Sequence, residues 1–188
     1  MIKKGEWSYV MSTYPRNLII QLRKTAERLK QTDEYRWTHQ GRCNCGHLAQ
    51  TLTGHSAARL HQMAVRSEGE WADHARGYCE TSQQPIDEVI RQMLAFGITV
   101  EELADLEHLR SQDVLKWMPA GRRQPDYKNK WDVIAYFETW AQVLAAREFM
   151  REHPGQNAFV NGLKYKRPKR DRVPLALDEN PAAGTSAA

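Results

Sequence analysis

Between residues 129 and 152 the large apolar side chains recur every three or four residues. This spacing places them on one face of an α-helix, and Pro154 and Gly155 mark where the helix ends. A helix with so broad an apolar face is stable only when other helices cover it, so the rest of the chain has to supply them. The side chains of this face are Trp131, Ile134, Phe137, Trp140, Ala141, Leu144 and Phe149.

Shorter helical patterns occupy most of the preceding chain. Pro85 is a typical first helical residue, and Thr99 with Glu102 forms the pattern of a capping box. No window alternates apolar and polar residues for long enough to predict a sheet. We therefore predict an all-α fold, an irregular bundle of six or seven helices, in which Trp71, Trp131 and Trp140 lie in the core. The predicted segments are 17–31, 44–54, 56–66, 68–80, 85–97, 99–109 and 129–152, with a short turn at 111–117.

The positive charge is concentrated near the C-terminus. The whole chain has a formal net charge of +4, yet residues 164–172 alone contain six Lys and Arg residues and one Asp. The residues that follow have too few large apolar side chains to favour folding. We predict a single helical domain over residues 1–163 and a basic, disordered tail over residues 164–188. Such a tail favours weak contact with a polyanion.

The N-terminus has no apolar run of signal-peptide length, and no segment has the length of a transmembrane helix. Three cysteines do not make a disulfide framework. We therefore expect a cytoplasmic protein without a membrane partner.

The densest group of reactive side chains lies in the segment WTHQGRCNCGHLAQTLTG, residues 37–54. We interpret it as a turn that leads into a helix, with Asn44 as N-cap and Gly54 as the stop. A cysteine at a helix start is expected to favour the thiolate.

His39, Cys43 and His47 recur every four residues in this segment, and Cys45 lies between the last two. Thiolate and imidazole are ligands of zinc and of other borderline metals. The first hypothesis is therefore a metal-binding helical protein, a metalloenzyme being one form of it, with zinc or iron held by these four residues. The C-x-C spacing differs from the usual C-x-x-C of zinc sites, and structural or capping roles are the alternative.

Carboxylates and histidines also occur at helical spacing elsewhere. Glu70 precedes His74 by four residues, and Asp105 precedes His108 by three. Such pairs can bind a metal from one helix face, although ordinary ion pairs on a helix surface have the same spacing.

A second hypothesis is a thiol-dependent enzyme. Gln40, Gly41, Cys43 and Cys45 resemble the papain-type arrangement, in which a glutamine donates to the oxyanion shortly before a cysteine at a helix start. The resemblance implies Cys43 or Cys45 as nucleophile and His108 or His74 as base. The spacing differs, and the aromatic residue after the cysteine is lacking, so we assign no family.

A third hypothesis is a helical interaction protein that binds nucleic acid or an acidic partner through the basic tail. The sequence leaves open whether the protein is an enzyme, which small molecule or protein it binds, which metal it holds, and its oligomeric state.

Overall fold

The computed structural model describes residues 4–67 and 69–166, with side chains from Asn17 onward. Within this range the fold is all-α, as predicted. None of the helices described here combines the length and the hydrophobicity of a membrane-spanning segment. Its eight helices are α1 (Lys4–Gln31), α2 (Asn44–Thr53), α3 (Ala57–Ala64), α4 (Trp71–Arg76), α5 (Pro85–Leu94), α6 (Val100–Glu107), α7 (Gln112–Leu115) and α8 (Lys130–Glu152). A short antiparallel hairpin follows, made of β1 (Phe159–Val160) and β2 (Leu163–Lys164).

The two long helices, α1 and α8, pack along each other. Helix α1 begins at Lys4, earlier than the predicted start at Asn17. Leu22 and Leu29 are fully buried on its inner face, and Phe137 and Ala141 are buried on that of α8. The apolar spacing of both helices therefore identified the faces that form the main contact of the bundle.

Helix α2 lies at the centre of the fold. It contacts α1, α3, α5 and α6, and seven of its ten residues are buried. Leu48 and Ala49 are completely inaccessible to solvent. Gly54 ends the helix in the left-handed conformation, with φ 73°, as its position in the sequence predicted.

Two other helix starts agree with their sequence signals. Pro85 is the first residue of α5. At α6 the Thr99 hydroxyl accepts from the Glu102 N–H at 3.1 Å, and the Glu102 carboxylate accepts from the Thr99 N–H at 3.0 Å. This capping box was predicted from the residue types alone.

The prediction for the tryptophans is correct for two of three. Trp71 is fully buried and Trp140 nearly so, whereas Trp131 is 53% exposed. Trp131 lies in the first turn of α8, where the Lys130 ammonium is 5.1 Å from its ring centroid. The prediction of Trp131 as a core residue is wrong, because helical spacing does not tell at which turn the neighbouring helices stop covering the face.

The hairpin packs on α8 and has a small core of its own. Tyr165 is buried there, its N–H donates to the Ala158 carbonyl at 2.8 Å, and its hydroxyl accepts from Arg147 Nε at 3.0 Å. Residues 164 and 165, which the sequence assigned to the tail, thus belong to the packed unit. Residues 167–188 lie outside the described residues, and for them the disordered tail stays a prediction.

Gly41 and Gly46 allow three segments of backbone to approach closely. A Cβ on Gly41 would lie 2.0 Å from the Ala57 carbonyl oxygen, and a Cβ on Gly46 would lie 2.3 Å from the Gln40 carbonyl oxygen. These distances are far below van der Waals contact. Because Gly41 and Gly46 lack a side chain, the turn before α2 can pack directly on the starts of α2 and α3.

We expect Gly46→Ala to lower the free energy of unfolding by about 2 kcal/mol, because backbone must move to admit the new methyl group. Urea unfolding of the purified proteins measures this change. Gly77→Ala is the matched control, since its Cβ would meet the Asp73 carbonyl oxygen at 3.2 Å and needs only a small shift. Equal losses for the two variants would contradict the role assigned to Gly46.

Candidate functional site

The segment before α2 is a compact turn over residues 36–43. The Arg36 N–H donates to the Arg42 carbonyl at 3.0 Å, and the His39 carbonyl accepts from the N–H groups of Arg42 and Cys43 at 2.7 and 2.9 Å. The predicted turn leading into a helix is therefore present. The N-cap is Cys43 rather than Asn44: its Sγ accepts from the Gly46 N–H at 3.4 Å.

Asn44 has a different role from the predicted one. Its side chain is fully buried, and Nδ2 donates to the carbonyls of Leu106 and Glu107 at 2.7 and 3.0 Å. These carbonyls belong to the last turn of α6, where the regular donors four residues on are absent, and the Leu106 carbonyl also accepts from the Leu109 N–H at 3.2 Å. Asn44 therefore helps to satisfy the C-terminus of α6 from the first residue of α2.

The thiols of Cys43 and Cys45 are buried, with 2% and 0% exposure. Burial raises the pKa of Cys43 to about 12, although the Gly46 N–H bond to its sulfur acts in the opposite direction. Burial also raises the pKa of Cys45 well above its usual value. Both thiols are therefore protonated at neutral pH, contrary to the expectation of a thiolate, because desolvation outweighs the effect of the helix start.

The two histidines of the same segment face other neighbours. His39 stacks on His61 with ring centroids 4.1 Å apart, and its Nδ1 accepts from the Gly41 N–H at 3.1 Å. His47 is 4% exposed and stacks on Tyr35 at 6.2 Å. Across residues 4–67 and 69–166, no three of the predicted ligands His39, Cys43, Cys45 and His47 place donor atoms within 4.8 Å of one another.

The described part of the chain does contain one group that could hold a metal ion, made of Glu70, Glu107 and His108. One donor atom from each lies within 4.8 Å of the others. Glu70 immediately precedes α4, and Glu107 and His108 lie at the C-terminal end of α6. The close packing of α4 on α6 brings the three together.

Glu107 is the buried member of this Glu/His cluster, with 3% exposure. Its two carboxylate oxygens accept from the N–H groups of Trp71 and Ala72 at 3.1 and 2.7 Å. Burial raises the pKa of Glu107, and nearby Glu70 and Asp73 act in the same direction against the two hydrogen bonds. No Lys or Arg among the described residues forms an ion pair with it.

His108 is held between aromatic rings. Its ring centroid lies 5.3 Å from that of Trp37 and 5.0 Å from that of Tyr127, and its Nε2 is 4.0 Å from a Glu70 carboxylate oxygen. These contacts orient the imidazole toward the carboxylates. His108 therefore belongs with the Glu/His cluster, whereas it was predicted either as base for a thiol or as the partner of Asp105 in a metal-binding pair.

Glu107 is not among the residues predicted from the sequence. Helical spacing paired Glu70 with His74, and His108 with Asp105, whereas the structure brings Glu70, at the start of α4, beside His108, at the end of α6. One signal could have identified Glu107: a carboxylate in the last turn of a helix meets the negative end of the helix dipole, which is unfavourable unless another group compensates.

Comparison of the chain with protein-family models, with curated proteins and with solved structures found no match.

Burial of His47 predicts a specific pH dependence of stability. Burial, with the charges of Arg28 and Arg42, lowers the pKa of His47 from 6.5 to about 4. Above the pKa of the unfolded state, His47 is neutral in both the folded and the unfolded protein, so its titration does not change the stability. As the pH falls from 6.5 to about 4, only the unfolded protein binds a proton at His47. The free energy of unfolding therefore decreases by about 3 kcal/mol.

We expect acidification to lower the free energy of unfolding by about 3 kcal/mol less in His47→Leu than in the unchanged protein. Urea midpoints at neutral pH and at about pH 4 measure the difference. His153→Gln removes an exposed histidine and serves as the control. If His47→Leu retained the full pH dependence, the assignment to His47 would be incorrect.

The burial of two thiols also predicts the order of alkylation. Cys79 is exposed, and hydrogen bonds with Thr81 lower its pKa, so it holds more thiolate at neutral pH than Cys43 or Cys45. Iodoacetamide should therefore modify Cys79 first in the folded protein, as mapped by mass spectrometry. In urea all three should react at similar rates. Faster reaction of Cys43 or Cys45 in the folded protein would support a catalytic thiol.

Proposed function

We propose that the protein binds one divalent metal ion through Glu70, Glu107 and His108. The observation that carries the proposal is the convergence of donor atoms from Glu70, Glu107 and His108 within 4.8 Å of one another, with Glu107 buried. A carboxylate that is buried, stands beside a second carboxylate and lacks a cationic partner is unfavourable, and a bound dication would compensate it. The two carboxylates would balance the two charges of the ion.

The capping role of Glu107 explains only part of this arrangement. Its hydrogen bonds to Trp71 and Ala72 hold the start of α4, and an asparagine or serine at the helix start would serve the same purpose. Glu70 is itself the N-cap residue of α4, so capping accounts for both carboxylates but not for the imidazole of His108 beside them. A metal ion would account for the convergence of all three.

Two carboxylates and one imidazole are donors typical of zinc and of non-haem iron. Three protein ligands leave one position of a tetrahedral ion for water or a substrate, which is the arrangement of catalytic rather than structural zinc sites. We therefore propose a metalloprotein with zinc ahead of iron, and a metalloenzyme as the function that such an open site supports.

The other two hypotheses have less support. A thiol enzyme needs an accessible, ionised cysteine, whereas Cys43 and Cys45 are buried with raised pKa values. Binding of a polyanion by the basic tail depends on residues beyond Lys166 and stays a prediction.

Protein purified without chelators should contain about one equivalent of metal per chain by elemental analysis. We expect Glu70→Gln to weaken zinc binding by about tenfold or more, because it removes one of three ligands while keeping the size of the side chain at the exposed N-cap of α4. Glu101→Gln, on the exposed side of α6, is the matched control for charge. Thermal unfolding with added zinc gives a second readout.

The double variant Cys43→Ser, Cys45→Ser separates the two possible ligand sets. Metal retained by this variant and lost by Glu70→Gln supports the Glu/His cluster. Metal retained by Glu70→Gln and lost by the double variant would indicate that the cysteines are the ligands. Absence of metal and of any zinc-dependent stabilisation in the unchanged protein would refute the proposal and leave Glu107 as a buried cap.

A further inference from the structure

A cavity of about 420 Å³ lies between α4, the start of α5 and the residues that follow α3. This volume is within the range of small-molecule sites in proteins. Arg66, Asp73 and Gln84 line the cavity together with two buried titratable residues, His74 and Asp87, which are 7% and 8% exposed. Arg66 and Asp73 are exposed, so solvent reaches the cavity from their side. A small ligand therefore has room beside two buried polar side chains.

The two carboxylates of this α4–α5 cavity lack a cationic partner. The Asp73 carboxylate accepts from the Glu70 N–H at 3.0 Å, and the Asp87 carboxylate accepts from the Ser82 hydroxyl. Among the residues that the structure describes, neither carboxylate forms an ion pair with Lys or Arg. A buried carboxylate is unfavourable without a compensating charge. Since Arg66 offsets only one of the two negative charges of the lining, the cavity favours a ligand with a single positive charge.

His74 adds a hydrogen-bond acceptor to the same lining. Its Nε2 is buried and has no hydrogen-bond partner among the described residues. Burial lowers the pKa of His74, whereas Asp73, Asp87 and a hydrogen bond to the Gly69 backbone act in the opposite direction. The ring is therefore uncharged at neutral pH, and because it donates to Gly69, Nε2 is the nitrogen that remains as an acceptor. A ligand of this cavity should consequently bring several hydrogen-bond donors.

The spacing of these acceptors distinguishes between kinds of cation. In the part of the chain that the structure describes, Asp73, His74 and Asp87 do not place three donor atoms within 4.8 Å of one another, unlike the Glu/His cluster. One metal ion, or one ammonium nitrogen, is too small to contact all three. A guanidinium group carries its N–H donors around a plane, so it can donate to acceptors that lie farther apart.

We propose that the α4–α5 cavity binds the guanidinium group of a small organic ligand. Its N–H groups donate to the carboxylates of Asp87 and Asp73, and a further N–H faces His74. Because Nε2 of His74 is buried, the ring rotates slightly to accept this third hydrogen bond. Arg66, on the exposed side, can meet an anionic group on the rest of the ligand. The cavity shares no residue with the Glu/His cluster, so each proposal can fail without the other.

The test uses the full chain and propylguanidinium chloride, with sodium chloride and propylammonium chloride at the same concentrations as references. We expect propylguanidinium to raise the melting temperature in a saturable manner beyond both references, and to shift the His74 ring signals in the NMR spectrum. The His74 signals are those missing from the spectrum of His74→Leu. An effect no larger than that of propylammonium would overturn the assignment of a guanidinium site.

Asp87→Asn should reduce the affinity for propylguanidinium by about tenfold or more, since it removes the buried charge of the cavity while the amide oxygen can still accept from Ser82. Glu88→Gln, which removes the same charge from the same turn of α5 outside the cavity, should leave the affinity unchanged. Asp73→Asn, at an exposed position, is a second variant whose affinity should also fall, even if Asp87→Asn does not fold. Unchanged affinity in the Asp variants would contradict the proposal.

A parallel titration with 4-guanidinobutyrate separates two sources of the guanidinium group. This compound is propylguanidine with an added carboxylate. Tighter binding than propylguanidinium, lost in Arg66→Gln, indicates a guanidino acid whose carboxylate contacts Arg66. Weaker binding indicates a guanidine without an acidic group. Butyrate, which lacks the guanidinium, should not bind, and binding of butyrate as tight as that of 4-guanidinobutyrate would refute the proposal.

Discussion

The buried side chains of Asn44 and Glu107 join the ends of three helices. From the first residue of α2, Asn44 donates to the last carbonyls of α6, and Glu107 from α6 accepts from the first N–H groups of α4. Helix ends buried without partners are costly, so these contacts fix how α2, α6 and α4 can pack. Glu70 and His108 meet only because α4 and α6 are held in this way.

Burial decides the chemistry of the central helix. A cysteine at a helix start often ionises easily, but around Cys43 and Cys45 the loss of water outweighs the helix dipole, and the pKa of each thiol is raised. The same desolvation acts on His47 in the direction expected for a base and lowers its pKa. Cys43, Cys45 and His47, which look most reactive in the sequence, are therefore mainly core residues.

The turn over residues 36–43 separates two environments of opposite charge. Trp37 packs against His108 in the Glu/His cluster, which has two carboxylates and lacks a cationic partner for Glu107. Arg42, from the same turn, brings positive charge to His39 and His47. A metal ion is favoured beside the two carboxylates and disfavoured beside the Arg42 guanidinium, so we propose the metal site at the Glu/His cluster and not at the cysteines.

The sequence by itself determined the all-α class, the apolar faces of α1 and α8, the capping box at Thr99 and the stop at Gly54, because these follow from local periodicity and backbone preference. It also located the turn before α2. Only the tertiary structure decided which polar side chains are buried and which meet. The partners of Glu107 come from a segment more than thirty residues away, at Glu70 to Ala72, and helical spacing contains no information about contacts between different helices.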